Sequence, residues 1–232
     1  MFKKASLQRM YAKICFWGRQ GTGKTTQVVR TCAALHEQKG GKGDVFMIDT
    51  ENASQSVREL LKVRGIDLQV LQTTKPAEAI KGLQMAADMM AQGDCSVLLI
   101  DSVTDLYKLP RVDWMVRNKK DKIPLNAYSG IDKPYQVFCE KLKWAKCDVV
   151  YTLKEKDDKE TVDETDQTHK KPDGKDSAEY IARVKVHCQA LKRKNADMAV
   201  RCDVSDDVAP GKVHRVVDPE PELWAKMVER FK

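Results

Sequence analysis

The stretch Gly18-Arg19-Gln20-Gly21-Thr22-Gly23-Lys24-Thr25 decides the fold, because it matches the phosphate-binding pattern G-x-x-x-x-G-K-[S/T]. Glycines let backbone N–H groups close around phosphate oxygens, and the following helix adds a favourable dipole. The apolar run 12–17 predicts a strand before the loop, and residues 24–38 predict a helix after it. The alternative is a glycine turn with an incidental lysine. We expect ATP contacts from Gly18 through Thr26, with Lys24 on the β- and γ-phosphates and the Thr25 hydroxyl on Mg²⁺.

A second element of the same site is Asp101, which ends the apolar strand 96–101. In a fold with a phosphate-binding loop, an acid at the end of such a strand holds the Mg²⁺ shell, usually through water. The alternative is an acid that only begins a turn after a core strand. The sequence therefore predicts Thr25 and Asp101 as the residues that bind the metal.

A third element is Glu51, which follows the strand 44–49. At the carboxyl end of a strand beside the phosphate loop, a glutamate can face the γ-phosphate and orient water. Glu51 is therefore the candidate general base, and Lys24 and Glu51 are the candidate catalytic residues. The alternative is a solvated acid at the start of a helix, a position that acids favour.

Apolar runs of strand length alternate with helical patterns along most of the chain. Repeated strand–helix–strand units predict an α/β fold, with a mostly parallel sheet flanked by helices, short C-terminal strands and a terminal helix. The predicted strands are 12–17, 44–49, 67–73, 96–101, 148–153, 182–188, 197–204 and 212–217. The predicted helices are 24–38, 54–64, one that begins at Pro76 and stops at Gly93, 134–146, and one near the C-terminus.

Composition narrows the class of protein. The 232 residues include 41 Lys and Arg against 34 Asp and Glu, and the net charge of +7 suits a polyanionic partner. The 42% hydrophobic content excludes collagen-like and wholly disordered chains. The seven cysteines form no C-x-x-C pair, which indicates reduced thiols in a cytoplasmic protein. No signal peptide is visible and no apolar run approaches the ~20 residues of a membrane span, so we expect no membrane partner.

Taken together, the motifs resemble the core of the RecA-like recombinase ATPases. That family places its catalytic glutamate in an I-D-[T/A]-E segment after the second strand, which corresponds to Glu51. The resemblance covers roughly residues 12–204, and the compact size looks most like the short RecA-core proteins of bacteriophages that act in single-strand annealing and recombination. A phage-encoded protein of this kind would act in the host cytoplasm. The segments that carry the resemblance are WGRQGTGKTT (17–26), MIDTE (47–51), LLIDS (98–102) and VVYT (149–152).

The resemblance also implies a sensor and an assembly. In the family, an Asn-Gln pair that couples the γ-phosphate to a DNA-binding loop would follow VVYT, whereas this chain has Leu-Lys there, so Thr152 and Lys154 are the sensor candidates. Lys192 and Lys194 lie in a basic stretch resembling the one that reaches a neighbour's ATP in bacterial members. The implied partners are single-stranded DNA, further copies of the chain in a ring or filament, and a single-strand DNA-binding protein.

The domain prediction has three parts. Residues 1–11 form a basic tail, residues 12–218 form the RecA-like core, and residues 219–232 form a C-terminal helix. Within the core, residues 105–130 and 154–176 are predicted to be long loops. The family binds single-stranded DNA through two loops, which map onto these two segments.

The first predicted loop has the chemistry of a single-strand binder. Residues 108–122 carry six basic and two acidic side chains, a net charge of +4, with Trp114 among them. Cations that follow phosphates and aromatics that stack on bases are the general features of such sites. The alternative is a solvated helix face with Trp114 in the core. The second loop is acidic, which argues against its direct contact with the phosphate backbone of DNA. The candidate DNA contacts are Lys108, Arg111, Trp114, Arg117, Lys119, Lys120 and Lys122.

The N-terminal tail contains Phe2-Lys3-Lys4-Ala5. Archaeal and eukaryotic recombinases of the RecA-like family polymerise by placing a Phe-x-x-Ala segment into a neighbour's core domain, and this tail resembles that segment. The alternative is a frayed terminus without a role. The tail is therefore a candidate oligomerisation segment.

The sequence thus predicts a DNA-stimulated ATPase that acts on single-stranded DNA in recombination, annealing or repair. Two other functional classes stay open. A small-molecule phosphotransferase would usually carry an arginine-rich lid, and the lid-like segment 154–176 has no arginine. A non-catalytic, ATP-switched assembly or binding module is the other, and the intact Lys24, Glu51 and Asp101 weigh against it.

Overall fold

The computed structural model describes residues 10–162, 165–173, 176–192, 198–206 and 213–231. The strands are β1 (Lys13–Gly18), β2 (Asp44–Asp49), β3 (Leu68–Gln72), β4 (Cys95–Asp101), β5 (Val149–Val162), β6 (Thr165–Asp173), β7 (Val184–Lys192), β8 (Met198–Asp206) and β9 (Val213–Val217). The helices are α1 (Lys24–Gln38), α2 (Ser54–Lys62), α3 (Pro76–Gln92), α4 (Val103–Asn118), α5 (Leu125–Trp144), α6 (Asp176–Ile181) and α7 (Pro221–Val228), with a 3-10 turn at Glu229–Phe231.

The described strands form one sheet in the order β3-β2-β4-β5-β1-β7-β8-β9, with β6 paired to β5. Pairing is parallel from β3 to β7 and antiparallel for β5–β6, β7–β8 and β8–β9. The predicted α/β class is therefore confirmed. Because parallel strands end at the same edge of the sheet, Asp49 pairs in register with Asp101 and Gly18 with Lys154. This edge collects the polar residues that follow each strand.

The sheet has a hydrophobic cluster on each face. Successive side chains of a strand point to opposite faces, so Phe16 packs with α1, α2 and α7, and Cys15 packs with α3 and α5. The central strand β4 is buried along its whole length, as a strand covered on both sides should be. Phe16 and Phe138 are fully buried, one on each face, and each such side chain contributes about 1.5–3 kcal/mol through burial.

The C-terminal helix α7 belongs to this core. Trp224 is fully buried, and its Nε1 donates a hydrogen bond to Gln27 Oε1 of α1 at 3.0 Å. The Trp224 ring also meets the Phe16 ring edge-on, with centroids 5.4 Å apart. Arg30 donates to the Pro219 carbonyl at 2.6 Å. The segment predicted as a terminal helix thus covers the face of α1 and fixes the helix that follows the phosphate loop.

The segment 105–130, predicted as a long loop, is mostly helical. Helix α4 covers its first part and α5 begins at Leu125, nine residues before the predicted start of that helix. Only residues 103–106 of α4 are buried, although apolar residues continue along this stretch, and polar contacts hold the part that follows. Arg111 makes a bidentate ion pair with Asp132 and lies over the rings of Tyr107 and Tyr128.

The segment 154–176, also predicted as a loop, is largely a β-hairpin. Strand β5 continues to Val162 and pairs antiparallel with β6. A two-stranded ribbon satisfies its backbone without a core, so low apolar content does not exclude it. Asp157 pairs in register with Lys170, and their side chains form an ion pair across the two strands.

Candidate active site

The phosphate loop closes on the ammonium group of Lys24. Its Nζ donates hydrogen bonds to the carbonyls of Gly18 (2.9 Å) and Arg19 (2.7 Å). The Thr22 hydroxyl also donates to the Arg19 carbonyl, at 2.7 Å. Burial lowers the pKa of Lys24, while Asp101 and Glu51 oppose that shift. The loop is therefore shaped around a lysine charge at its centre.

Two glycines of the loop are required by neighbouring strands. Gly18 and Gly23 have positive φ angles of 149° and 79°. A Cβ atom on Gly18 would lie 2.2 Å from the Cys188 carbonyl oxygen of β7. A Cβ atom on Gly23 would lie 2.6 Å from a methyl group of Val200 in β8. The β7–β8 hairpin thus packs directly against the phosphate loop.

Asp101 ends β4 beside this loop and is buried. Burial raises its pKa to about 6, although a hydrogen bond from the Thr152 hydroxyl to Asp101 Oδ1 acts in the opposite direction. A buried carboxylate whose charge is poorly compensated favours a cation, and carboxylate and hydroxyl oxygens are ligands that Mg²⁺ prefers. Thr25 lines the same cavity as Asp101, so these two predicted residues fit the ion. Among the described residues, no group of three or more His, Cys, Asp or Glu side chains is placed to hold a metal ion.

Glu51 is presented by a turn that Asp49 holds. The buried Asp49 carboxylate accepts hydrogen bonds from the backbone N–H groups of Glu51, Ala53 and Ser54 at 2.9–3.1 Å. The Thr50 hydroxyl exchanges hydrogen bonds with the backbone of Ser102, which joins the ends of β2 and β4. The sequence analysis missed this role of Asp49, although it lies inside the motif that identified Glu51.

Lys154 lies opposite Glu51 within β5, at the point where that strand pairs with Gly18, the last residue of β1. Its Nζ is 3.1 Å from Glu51 Oε1 and 2.7 Å from Asp105 Oδ1. Burial disfavours the ammonium charge, but hydrogen bonds to Asp105 and Glu51 outweigh it and raise the pKa of Lys154. Burial also raises the pKa of Asp105, against its bond to Lys154. Asp105, which lies in the first turn of α4, was not identified from the sequence.

One cavity of about 890 Å³ brings these groups together. On its lining, the Nε of the loop residue Arg19 donates a hydrogen bond to Glu155 Oε1 of β5 at 3.0 Å. Thr22 and Thr152 do not line the cavity but bond to residues that do. Its lining contains the predicted Gly18, Arg19, Gln20, Gly21, Gly23, Lys24, Thr25, Thr26, Glu51, Asp101 and Lys154, and the unpredicted Ala53, Asp105 and Glu155.

The candidate DNA contacts separate into two groups. Lys108 pairs with Asp173, Arg117 pairs with Asp113, and Arg111 is held by Asp132 as described above. Trp114 is half-buried. By contrast, Lys119, Lys120 and Lys122 are exposed and make no ion pair within the part of the chain that the structure describes. Among the candidate DNA contacts, the cations without an ion pair in the described ranges therefore lie beyond the end of α4.

Some residues predicted from the sequence lie at the edge of the described ranges or outside them. Lys192 ends β7 and is exposed. Lys194 and the segment from Phe2 to Ala5 lie outside the described residues.

All seven cysteines are buried free thiols. None of the helices in the described ranges is long and apolar enough to span a bilayer.

Comparison with known proteins agrees with this geometry. The chain is 32% identical over 97 residues to protein RecA of Lactobacillus johnsonii, a match that covers 42% of this chain and 26% of that protein. It is 33% identical over 97 residues to protein RecA of Lactococcus lactis subsp. cremoris, covering 42% of this chain and 24% of that protein. The matched region thus spans about a quarter of the length of these relatives.

A solved structure extends the likeness over most of the chain. A KaiC-like protein of the archaeon Pyrococcus horikoshii superposes with a TM-score of 0.55 over 90% of this chain and 86% of its own, at 13% identity. That likeness concerns the fold alone. The sequence model of the family described as AAA domain matches residues 10–226. The chain therefore belongs to the AAA domain family and has the fold of a RecA-like P-loop ATPase.

Proposed function

We propose that this protein binds ATP with Mg²⁺, hydrolyses it, and uses the cycle to act on single-stranded DNA in recombination, annealing or repair. The observation that carries the proposal is the convergence of Lys24, Thr25, Asp101 and Glu51 on one cavity at the carboxyl edge of the sheet. The four residues come from three separate parts of the chain, the start of α1, the turn after β2 and the end of β4, so the arrangement is a property of the fold and not of one motif.

The residues have separate roles in the proposed hydrolysis. The loop N–H groups and Lys24 hold the phosphates, and Thr25 and Asp101 would hold Mg²⁺, which supplies charge for the phosphate oxygens. Glu51 accepts a proton from water as the water oxygen bonds to the terminal phosphorus and the bond to the ADP oxygen breaks. The Asp49 bonds to the turn fix the Glu51 backbone, which limits where its carboxylate can reach.

Single-stranded DNA is the proposed polymer, and the exposed lysines beyond α4 support it. Lys119 and Lys120 line a surface pocket together with Val112 and Val116, which are 47% and 71% exposed, and Lys122 follows two residues later in the chain. A cationic site with apolar contact area suits unpaired bases better than a duplex. The acidic β5–β6 hairpin is the less suitable segment for phosphate contact.

The test is the release of inorganic phosphate from Mg·ATP, measured without and with single-stranded DNA. We expect turnover in both cases and a faster rate with DNA. Turnover that required a small-molecule acceptor would indicate a phosphotransferase. ATP binding without turnover would indicate a switched binding module. A rate unaffected by single-stranded DNA, together with no DNA binding, would exclude the proposed polymer and leave only the ATPase.

We also propose that the active form is a homo-oligomer joined by the N-terminal tail. An apolar cavity of about 420 Å³ lies beside β3, the outermost strand at one end of the sheet. Leu71 and Met85 on its lining are 37% and 57% exposed. Such a groove suits an aromatic anchor like Phe2 from a neighbouring copy.

Light scattering of two variants tests this assembly. Phe2→Glu on the tail and Met85→Asp in the groove should each convert the oligomer to monomer, because either one places a charge in the apolar contact. Lys3→Glu is the matched control, since it changes the charge of the tail and leaves the aromatic in place. An unchanged mass for Phe2→Glu would leave the tail without a role in assembly.

A further inference from the structure

The turn that carries the candidate base Glu51 is attached to both strands that flank β2. On one side, the Gln72 amide at the end of β3 donates to the Asn52 side-chain oxygen at 2.7 Å, in an exposed pair. On the other side, the Thr50 hydroxyl contacts the backbone just beyond β4. Because an exposed hydrogen bond competes with water, the contact of Thr50 is the more restrictive attachment.

Thr50 makes three hydrogen bonds to the end of β4. Its N–H donates to the Asp101 carbonyl at 2.8 Å. Its hydroxyl donates to the Ser102 carbonyl at 3.0 Å and accepts from the Ser102 N–H at 2.7 Å. Ser102 is 1% exposed, so its two backbone groups have little access to water as an alternative partner. The Thr50 side chain thus extends the pairing of β2 and β4 by one residue, beyond the register pair of Asp49 and Asp101.

These bonds oppose a repulsion between two carboxylates of the nucleotide cavity. Glu51 and Asp101 both line that cavity. Burial is the main cause of the raised pKa of Asp101, and the negative charge of Glu51 raises that pKa further. The two carboxylates are therefore close enough to repel each other. Because Glu51 directly follows Thr50, the Thr50 bonds keep the turn of Glu51 beside Asp101 despite this repulsion.

We propose that Thr50 is a positioning residue: its hydroxyl holds the Glu51 turn against Ser102 and so fixes the proton acceptor relative to the metal that Asp101 would bind. The proposal rests on the proposed function and adds a residue to the same site. Thr50 is not part of the cavity lining, so it acts through Glu51. The I-D-[T/A]-E segment of the resembling family takes threonine or alanine at this position, so the hydroxyl is a feature of this chain and not of the motif.

Thr50→Val tests this role, because valine keeps the shape of threonine and lacks the hydroxyl. We expect kcat to fall about 10- to 100-fold, since a shift of about 1 Å at a reacting group costs about 100-fold. Binding of Mg·ATPγS, a slowly hydrolysed analogue, should stay within about twofold, because Lys24 and Thr25 are unchanged. Thr50→Ser keeps the hydroxyl and should recover kcat to within about threefold of the wild type.

Thr73→Val is the matched control. Thr73 follows β3 as Thr50 follows β2, and it is 7% exposed. Its hydroxyl donates to Glu78 Oε2 at 2.6 Å and accepts from the Lys75 N–H at 3.1 Å, and none of these three residues lines the nucleotide cavity. Urea unfolding should show a loss of stability in both valine variants, whereas kcat should fall only in Thr50→Val.

The double variant Thr50→Val/Glu51→Gln tests whether Thr50 acts through the base. Phosphate release in a single turnover should be no slower than in Glu51→Gln alone, because the hydroxyl then positions a side chain that no longer accepts a proton. A further fall of the rate in the double variant would overturn the action of Thr50 through Glu51.

The remaining outcomes separate this proposal from the proposed function. An unchanged kcat in Thr50→Val, or an equal fall in Thr73→Val, would overturn the role of Thr50. Weakening of Mg·ATPγS in proportion to kcat would do the same, because it would indicate a role in binding. Thr50→Ala carries the same expectations where Thr50→Val fails to fold. A wild-type protein that releases no phosphate from Mg·ATP would overturn the proposed function itself, before any variant is compared.

Discussion

The nucleotide cavity and the far end of α4 are both rich in charged side chains, but the two regions place them in different surroundings. In the cavity, Asp101 is 5% exposed, and Lys154 joins carboxylates from two other elements. At the end of α4, Lys119 and Lys120 are exposed, and the pair between Arg117 and Asp113 has side chains 73% and 53% exposed. Asp101 and Asp105 of the cavity are therefore desolvated, whereas the charges at the end of α4 are hydrated.

The difference indicates how each region should respond to substitution. A buried charge depends on its few neighbours, so removing one group leaves another unpaired. An exposed charge is screened by water and salt within a Debye length of about 8 Å. We therefore expect large and specific effects in the cavity, and small effects at the end of α4 unless several charges change together.

The largest expected effects concern Lys24 and Glu51. Lys24→Ala should abolish nucleotide binding, because it removes the charge at the centre of the phosphate loop. Glu51→Gln should keep ATP binding and lower kcat at least about 100-fold, because it keeps the shape and removes the proton acceptor. Binding and phosphate release are measured separately, with the exposed Glu59→Gln on α2 as the control. A normal rate in Glu51→Gln would show that Glu51 is not the base.

Asp101→Asn should separate stability from function. Burial raises the pKa of Asp101 from 3.8 to about 6. Ionisation of the buried Asp101 carboxyl therefore destabilises the folded protein, and this destabilisation develops as the pH rises from 3.8 to about 6. The cost is complete above pH 6 and absent below 3.8, whereas asparagine is neutral throughout. Asp101→Asn should therefore raise the free energy of unfolding by about 1–3 kcal/mol at pH 8 and not at pH 4.

The measurement for Asp101→Asn is denaturant unfolding without nucleotide or metal at both pH values. Mg²⁺-dependent ATP binding by the same variant should be weakened, since asparagine removes the negative charge that would face the metal. Equal stability of wild type and variant at pH 8 would show that the carboxylate is better compensated than its burial indicates.

The exposed lysines should act only as a group. Neutralising Lys119, Lys120 and Lys122 to Gln should weaken single-stranded DNA binding and reduce the slope of log K against log salt by about 2, because fewer counterions are released. Fluorescence anisotropy over a salt series measures this slope. An unchanged slope would remove this region from the DNA site. The matched control neutralises three other exposed lysines, Lys133, Lys141 and Lys146.

The smallest effect is expected for the exposed ion pair on α4. Arg117→Ala should change the free energy of unfolding by less than about 0.5 kcal/mol, the usual value for an i,i+4 pair in water. Urea unfolding measures it. A loss several times larger would show that the end of α4 is held more rigidly than its exposure indicates, and would weaken the contrast between the two regions.

The local sequence determined the strands of the parallel part of the sheet, the phosphate loop and Asp101. Continuous apolar runs predicted β1, β2 and β4, because a strand buried on both faces has no polar face to alternate with. The phosphate loop and Asp101 followed from patterns in which spacing and chemistry are linked. These features depend on neighbours in the chain, so they can be inferred without knowing the fold.

The tertiary structure alone decided what comes together from distant segments. The helices of segment 105–130 are held by the ion pair between Arg111 and Asp132 and by the contacts of Arg111 with two tyrosine rings. The ion pair of Asp105 depends on Lys154, 49 residues away, reaching it across the end of the sheet. Gly18 must be glycine because the Cys188 carbonyl approaches it from a third strand. Contacts of this kind are set by strand order and register, which no local pattern encodes.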